Sequence, residues 1–240
     1  GGMGPLATAD FLAKLVQATP ARRDQDHIPT LVCSAADIPD RASAILGRGP
    51  DPLPAMRAAL ARLETAGATR IAIPCNTAHH WHAALQADTA LPILHIVDAV
   101  ADDLAGSGLA GGPIGLLASA GTLRVGLYPE RLARHGFTRL SPDPDGQDAV
   151  VAAIDLVKAG RVAEAALILE AQARALVAAG CRRVVMACTE IPVALSALDD
   201  ELAGVMVDAT ESLARACVAA CRPAPPPPPL VACSTLDIAS

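Results

Sequence analysis

Two cysteines lie at equivalent positions of an internal sequence repeat. Residues 66–77 have the sequence AGATRIAIPCNT and residues 179–190 have AGCRRVVMACTE, which places Cys75 and Cys188 at the same point of each copy. In both copies an apolar segment typical of a buried strand precedes the cysteine and polar residues follow it. Ligands bind beyond the carboxyl ends of parallel strands, so both thiols are predicted to lie in a functional layer.

A pair of opposed thiols can move a proton from one face of a carbon atom to the other. One thiolate removes the proton while the other thiol donates one, and the roles exchange in the reverse reaction. A helix beginning after each cysteine would favour the thiolate and lower its pKa. Such a reaction also needs donors that stabilise a carbanion at the α-carboxylate of an amino acid. Asn76, Thr77 and Thr189, with the adjacent backbone N–H groups, are the candidates.

Other possible reactive groups have simpler interpretations. The chain has seven cysteines, an odd number without a CxxC pair, so free thiols are expected rather than a disulfide framework. The cluster His79, His80 and His82 has no carboxylate at a suitable spacing, and no metal site is predicted there. His79 is interpreted as a support for the loop that carries Cys75.

Short apolar segments alternate with helical patterns along the chain, which predicts βαβ units and a parallel sheet. The expected strands are 30–34, 71–74, 92–97, 114–118, 184–188 and 204–207. The expected helices are 6–18, 53–66, 77–87, 98–106, 123–135, 147–158, 162–179 and 209–221. Together with the repeat, they predict two similar parallel-sheet α/β domains related by pseudo-two-fold symmetry, with the active site in the cleft between them.

The predicted domain boundaries follow the repeat. Residues 1–98 and 209–222 form the first half and residues 99–208 the second, whereas 223–240 are expected to be a Pro-rich flexible tail. Residues 230–233 could pair as a strand. The opening segment GGMGPLATAD is typical of a loop between a strand and a helix, but no strand precedes it. The first half is therefore expected to lack its N-terminal strand and to be less stable for it.

Composition restricts the classes of function. The chain of 240 residues is 52% hydrophobic but only 2% aromatic, which suits helices packed closely on a parallel sheet. A net charge of -6 with scattered basic residues disfavours nucleic acid and anionic membrane surfaces as partners. Without an apolar segment of roughly 20 residues, no transmembrane helix is predicted. We expect a soluble cytoplasmic protein.

Six motifs then identify a family resemblance. They are GGMGPLAT (1–8), IPDR (38–41), PCNTAH (74–79), LLASAGT (116–122), VKAG (157–160) and CTEIP (188–192). In this order they resemble the aspartate racemase branch of the aspartate/glutamate racemase superfamily. The resemblance implies two α/β domains with the active site between them, and racemisation of an acidic amino acid, most simply aspartate, by two-base 1,1-proton transfer. It implies neither pyridoxal phosphate nor a metal.

The resemblance also assigns roles to individual residues. Cys75 and Cys188 match the two catalytic bases, and Arg41 and Lys158 match positions that hold the side-chain carboxylate of the substrate. A guanidinium can bind such a carboxylate through two hydrogen bonds. The remaining motif residues expected to bind substrate are Met3, Thr8, Ser119, Thr122 and Glu190. The expected partner is a small-molecule amino acid, with a homodimer as a possible assembly.

Two alternatives stay open at this point. A relative with the same fold could be a decarboxylase or a cis–trans isomerase that uses one cysteine. The chain could also be a non-catalytic dicarboxylate-binding relic of a racemase. Exchange of deuterium at the α-carbon separates a racemase from a binding protein.

Overall fold

The computed structural model describes residues 1–221, so the predicted tail 223–240 and the candidate strand 230–233 lie outside the described residues. The helices are Pro5–Ala18 (α1), Arg41–Ile45 (α2), Leu53–Thr65 (α3), His82–Ala87 (α4), Ile96–Gly106 (α5), Ala120–Val125 (α6), Pro129–Ala133 (α7), Pro144–Lys158 (α8), Val162–Ala178 (α9), Ile191–Ala194 (α10), Asp200–Ala203 (α11) and Ala209–Cys221 (α12). The strands are Ile71–Ala72 (β1), Ile93–Leu94 (β2), Gly112–Ala118 (β3), Phe137–Leu140 (β4), Arg183–Ala187 (β5) and Met206–Asp208 (β6). Short 3₁₀ helices cover Asp24–Asp26 and Thr77–Trp81.

The larger sheet has four parallel strands in the order β4-β3-β5-β6. The central strand β3 pairs with β4 on one side and with β5 on the other. Helices α8 and α9 cover this sheet with small and aliphatic side chains such as Ala153, Leu169 and Ala173, all fully buried. With an aromatic content of 2%, such residues allow the helices to approach the sheet closely.

The smaller sheet repeats this arrangement in reduced form. Strands β1 and β2 pair in parallel over two residues, and Gly2 forms an isolated parallel bridge with Ser34. The amine of Gly1 donates to the carbonyl of Ala72 at 2.7 Å, so the first two residues lie between residue 34 and β1. Gly1 and Gly2 thus occupy the position that β3 holds in the larger sheet.

An open groove continues along this position. It has a volume of about 610 Å³ and lies between strand β1 and the segment around Leu31. Arg70, which directly precedes β1, also lines it. Within residues 1–221 the predicted strand 30–34 is present only as the bridge between Ser34 and Gly2, since a strand needs a partner along its length. Leu31 and Val32 are consequently about half exposed, at 48% and 52%. The groove therefore separates the segment around Leu31 from β1, and the expected absence of a first strand stays a prediction.

The turn from helix to strand is the same in both copies of the repeat. Gly67 follows α3 with φ of 89° and Gly180 follows α9 with φ of 95°, a left-handed conformation that favours glycine. The next amide donates back to the last turn of the helix in each case, Ala68 to Leu63 and Cys181 to Leu176. The repeat in sequence is thus a repeat in backbone structure.

The centre of the molecule joins the two sheets. Helix α12 packs against α1 and α5, and its Leu213 shares one hydrophobic cluster with Val100 and Val185. That cluster contains residues from both predicted halves. Two parallel-sheet α/β units are confirmed, whereas the boundaries at residues 98 and 208 stay a prediction. Among residues 1–221 no helix is long and apolar enough to cross a bilayer.

Besides strand 30–34, several elements differ from the prediction: the expected helix 77–87 begins as a 3₁₀ helix, the short helices α2, α10 and α11 are additional, and two further differences lie between residues 120 and 140. The expected helix 123–135 is divided into α6 and α7, because Gly126 adopts a left-handed conformation with φ of 64° and Pro129 begins a new helix. Strand β4 was not expected from the sequence. It is a four-residue edge strand with only Phe137 fully buried, so its hydrophobic pattern is weak.

Candidate active site

One pocket brings together most of the residues predicted to take part in chemistry. Its walls come from both halves, and the predicted site residues that line it are Arg41, Cys75, Asn76, Thr77, Ser119, Lys158, Cys188, Thr189 and Glu190. The cavity measures about 40 Å³, so the site is narrow in this structure.

Cys75 is held by its backbone rather than by its side chain. Its amide donates to the carbonyl of Ile73 at 2.7 Å, and its carbonyl contacts Nδ1 of His79 at 2.8 Å. Nε2 of His79 accepts from the amide of Ile96 at 3.1 Å, which requires the proton of the neutral ring to be on Nδ1. His79 is 3% exposed, and burial lowers its pKa to about 4. A neutral His79 thus fixes the loop that carries Cys75, as the sequence predicted.

Cys188 directly follows strand β5 and is held as a thiol. Its Sγ donates to Oε2 of Glu190 at 3.0 Å, and the hydroxyl of Thr189 donates to the same oxygen at 3.2 Å. Burial raises the pKa of Cys188 well above its usual range, and the negative charge of Glu190 raises it further. The expectation that a helix lowers this pKa is wrong. Helix α10 has only four residues, too few for an effective dipole.

A cluster of three hydroxyl groups connects the two halves beside the pocket. Oγ1 of Thr77 lies 3.0 Å from Oγ of Ser119 and 2.9 Å from Oγ1 of Thr122. Ser119 also caps α6, where its side chain accepts from the amide of Thr122. Thr122 is 1% exposed and does not line the pocket, so it contacts the site only through the other two hydroxyls.

The predicted basic residues lie on one side of the pocket. Nη1 of Arg41 donates to the carbonyls of Ile38 and Pro39 at 3.2 and 3.1 Å, which fixes the side chain beside its own loop. Nε of Arg41 is buried and has no hydrogen-bond partner among the described residues. Burial lowers the pKa of Lys158, but nearby negative charge, first that of Glu190, outweighs this effect and the net pKa is raised. Lys158 is therefore a cation that faces the pocket.

Besides Thr122, two more of the predicted substrate-binding residues do not line the pocket. Met3 is 5% exposed and belongs to the hydrophobic core of the first half. The hydroxyl of Thr8 donates to the carbonyl of Gly4 within the first turn of α1. Of the GGMGPLAT loop, only Gly4 lines the pocket. The motif thus provides a close backbone approach at Gly4, while the side chains of Met3 and Thr8 are buried outside the pocket.

Sequence reasoning missed two polar residues of this region. Asp40 lines the pocket and caps α2 by accepting from the amide of Ser43 at 2.7 Å. Its position within IPDR and before a short helix was the signal that could have identified it as a cap. Tyr128 lies outside the pocket, yet its hydroxyl donates to Oδ1 of Asn76 at 2.6 Å. No local motif links these two residues, which are 52 positions apart.

Comparison with known proteins identifies the family of the chain. Residues 1–237 match the profile of the Asp/Glu/Hydantoin racemase family. The structure of the Picrophilus torridus aspartate racemase is 29% identical, with a TM-score of 0.79 over 92% of this chain and 91% of that chain. A putative Asp/Glu racemase from Yersinia pestis is 25% identical, with a TM-score of 0.72 over 92% of this chain and 97% of that chain.

A third relative is the broad specificity amino-acid racemase RacX of Bacillus subtilis (strain 168). It is 31% identical over 109 residues, which cover 40% of this chain and 44% of that protein. The alignment thus spans less than half of RacX, whereas the family profile covers nearly the whole chain. The chain belongs to the Asp/Glu/Hydantoin racemase family, and the prediction of an amino-acid racemase is confirmed.

Proposed function

We propose that the protein racemises an acidic amino acid, most simply aspartate, by proton transfer between Cys75 and Cys188 without a cofactor. The observation that carries the proposal is that both thiols line one pocket together with the cations Arg41 and Lys158. The similar protein of Picrophilus torridus is an aspartate racemase, which supports the choice of substrate.

The proton transfer is balanced in both directions of the reaction. When Cys75 is the base, its thiolate takes the α-proton and becomes a thiol. The Cys188 thiol gives its proton to the opposite face of the carbanion and becomes a thiolate. When Cys188 is the base, it first passes its proton to the carboxylate of Glu190, to which it already donates a hydrogen bond, and Cys75 is in the thiol form after taking a proton from solvent. Cys188 then takes the α-proton and Cys75 gives its proton to the opposite face, after which Glu190 releases its proton to solvent.

Carboxylate binding is divided between two groups of donors. Asn76, Thr77 and Thr189 line the pocket near the two cysteines and are proposed to bind the α-carboxylate. Hydrogen bonds there stabilise the negative charge that develops when the α-proton leaves. Arg41 and Lys158 are proposed to bind the side-chain carboxylate, since a charged side chain needs a charged partner when it leaves water.

Deuterium exchange at the α-carbon tests the proposal. L-Aspartate is incubated with the protein in D₂O, deuterium is followed by mass spectrometry, and D-aspartate is measured by chiral chromatography. We expect exchange and inversion together. Formation of neither product contradicts racemisation and favours the binding relic, whereas loss of the carboxyl group as CO₂ favours the decarboxylase.

Single serine substitutions test the two bases. Cys75→Ser and Cys188→Ser are each expected to abolish inversion while the melting temperature stays close to that of the wild type. Cys221→Ser is the matched control, because Cys221 is exposed and does not line the pocket. A serine variant of either pocket cysteine that inverts aspartate at the wild-type rate would falsify the two-base mechanism.

A further inference from the structure

One polar atom of the pocket lacks a partner although it is buried. Asn76 is 2% exposed and lines the pocket, and its Nδ2 finds no hydrogen-bond acceptor anywhere in residues 1–221. A buried amide group without a partner is costly, so such groups are normally satisfied by protein, water or ligand. The amide group is therefore available to a ligand.

The other end of the same side chain is fixed. Oδ1 of Asn76 accepts from the hydroxyl of Tyr128 at 2.6 Å. Tyr128, the only tyrosine of the chain, is 1% exposed and precedes helix α7. Its carbonyl accepts from the amide of Leu132, and its side chain belongs to the central hydrophobic cluster. Both the backbone and the ring of Tyr128 are thus anchored before the hydroxyl reaches Asn76.

The direction of this hydrogen bond decides which ligand the pocket accepts. A phenol proton that is donated to Oδ1 leaves Nδ2 as the polar atom available to the pocket. If the amide rotated by half a turn, Oδ1 would take that place and would repel a carboxylate. Nδ2 would then lie against the phenol, whose own proton has no other acceptor among the described residues. Burial also raises the pKa of Tyr128, so the phenol keeps its proton.

We propose that Tyr128 is a positioning residue that fixes the orientation of the Asn76 amide, so that Nδ2 donates to a carboxylate of the substrate. The inference rests on the proposed function and adds a residue outside the pocket to the recognition of the substrate. It also couples the two halves, because Tyr128 lies in the predicted second half and Asn76 in the first.

A double-mutant cycle tests the inference. Binding of succinate, a dicarboxylate without an α-amino group, is measured by calorimetry for the wild type, Tyr128→Phe, Asn76→Ala and the double variant. Tyr128→Phe is expected to weaken binding about tenfold, the order expected for one hydrogen bond to a charged group. In the Asn76→Ala background the same substitution should have no further effect. If the factors by which the two single substitutions weaken succinate binding multiply in the double variant, the proposal is overturned.

Two further variants separate positioning from stability. Thr19→Val removes another buried hydroxyl, which donates to the carbonyl of Leu15 in α1 and lies outside the pocket. It should lower the melting temperature and leave succinate binding unchanged. Asn76→Asp keeps the acceptor for Tyr128 but replaces the amide donor with a carboxylate oxygen, and it should lose succinate binding even if Tyr128→Phe does not fold. Wild-type affinity of Asn76→Asp would contradict the assigned role of Nδ2.

Binding of succinate does not depend on turnover, so the two proposals fail separately. A protein that shows no deuterium exchange but a coupled cycle retains the Tyr128–Asn76 inference and loses the proposed racemisation. A protein that racemises aspartate with an uncoupled cycle keeps its function and loses this inference.

Discussion

The thiol of Cys188 donates a hydrogen bond of 3.0 Å to Oε2 of Glu190, two residues further along the chain. In the proposed mechanism this contact makes the carboxylate the acceptor of the thiol proton, and its negative charge also opposes ionisation of the thiol. The first effect assists the reaction and the second opposes formation of the thiolate. In one substitution, the reaction rate and the pKa of Cys188 report on them separately.

Glu190→Gln should lower the pKa of Cys188 but slow the reaction. Loss of the negative charge favours the thiolate, so its ultraviolet absorbance should appear at a lower pH than in the wild type. Deuterium exchange that uses Cys188 as the base should fall about 100-fold, since a general acid–base group is lost. The exposed Glu164→Gln on α9 is the control. If the pH at which half of Cys188 is a thiolate is unchanged or higher in Glu190→Gln, the assigned electrostatic effect is contradicted.

Arg41→Ala and Lys158→Ala should reduce binding of aspartate more than binding of alanine. Loss of one charge-assisted hydrogen bond lowers affinity about 10–100-fold. Alanine should not be affected in this way, because it has no side-chain carboxylate that could form the bond. The measurement is the Michaelis constant for each amino acid. Arg48→Ala provides a control on the same segment, because Arg48 is exposed and does not line the pocket. Equal losses for both amino acids would show that these cations do not distinguish the side chain.

Acid should destabilise the protein through His79. Its pKa is lowered by burial to about 4 in the folded state, compared with ~6.5 in the unfolded chain. The unfolded state binds more protons between these values, so the stabilising contribution is complete above pH ~6.5 and is lost as pH falls towards 4. The loss is on the order of 3 kcal/mol.

Melting temperature as a function of pH measures this contribution. His79→Asn, which keeps a donor for the carbonyl of Cys75, should melt lower at neutral pH but show a shallower decline on acidification. The exposed neighbour His80→Asn should keep the wild-type decline. An equally steep decline in His79→Asn would assign the acid sensitivity to other groups.

Filling the groove beside β1 should stabilise the first half. An extension of about six Val- and Ile-rich residues before Gly1, the length of a typical strand, would continue the path of Gly1 and Gly2 between β1 and the segment around Leu31. Each large aliphatic side chain buried there contributes on the order of 1.5–3 kcal/mol. We expect a higher melting temperature and a higher rate of racemisation. An extension of equal length made of Gly and Ser is the control, and equal effects of the two extensions would count against the groove as a strand site.

Much of the fold could be predicted because its elements are local and periodic. The sequence predicted helices at 6–18 and 209–221, and the structure places them at Pro5–Ala18 and Ala209–Cys221. The repeat also predicted that Cys75 and Cys188 follow equivalent strands, since each copy contains its own helix, glycine and strand.

The rest depended on contacts that the sequence does not encode locally. The pKa of Cys188 follows from its burial and from the side-chain orientation of Glu190, and neither follows from the CTEIP motif. Met3 and Thr8 lie in a motif near the pocket, yet their side chains pack inward because only the backbone of that loop approaches the site. Tyr128 was missed because its partner lies in the other half of the chain.

The hydroxyl cluster of Thr77, Ser119 and Thr122 should respond to salt differently from the cations of the pocket. All three groups are uncharged, so dissolved ions hardly weaken the contact that holds the halves together beside the pocket. Attraction of a dicarboxylate to Arg41 and Lys158 is screened, with a Debye length of ~8 Å at physiological ionic strength. Ionic strength should therefore control how fast a substrate is captured, whereas the hydroxyl contact beside the pocket should be nearly the same at low and at high salt.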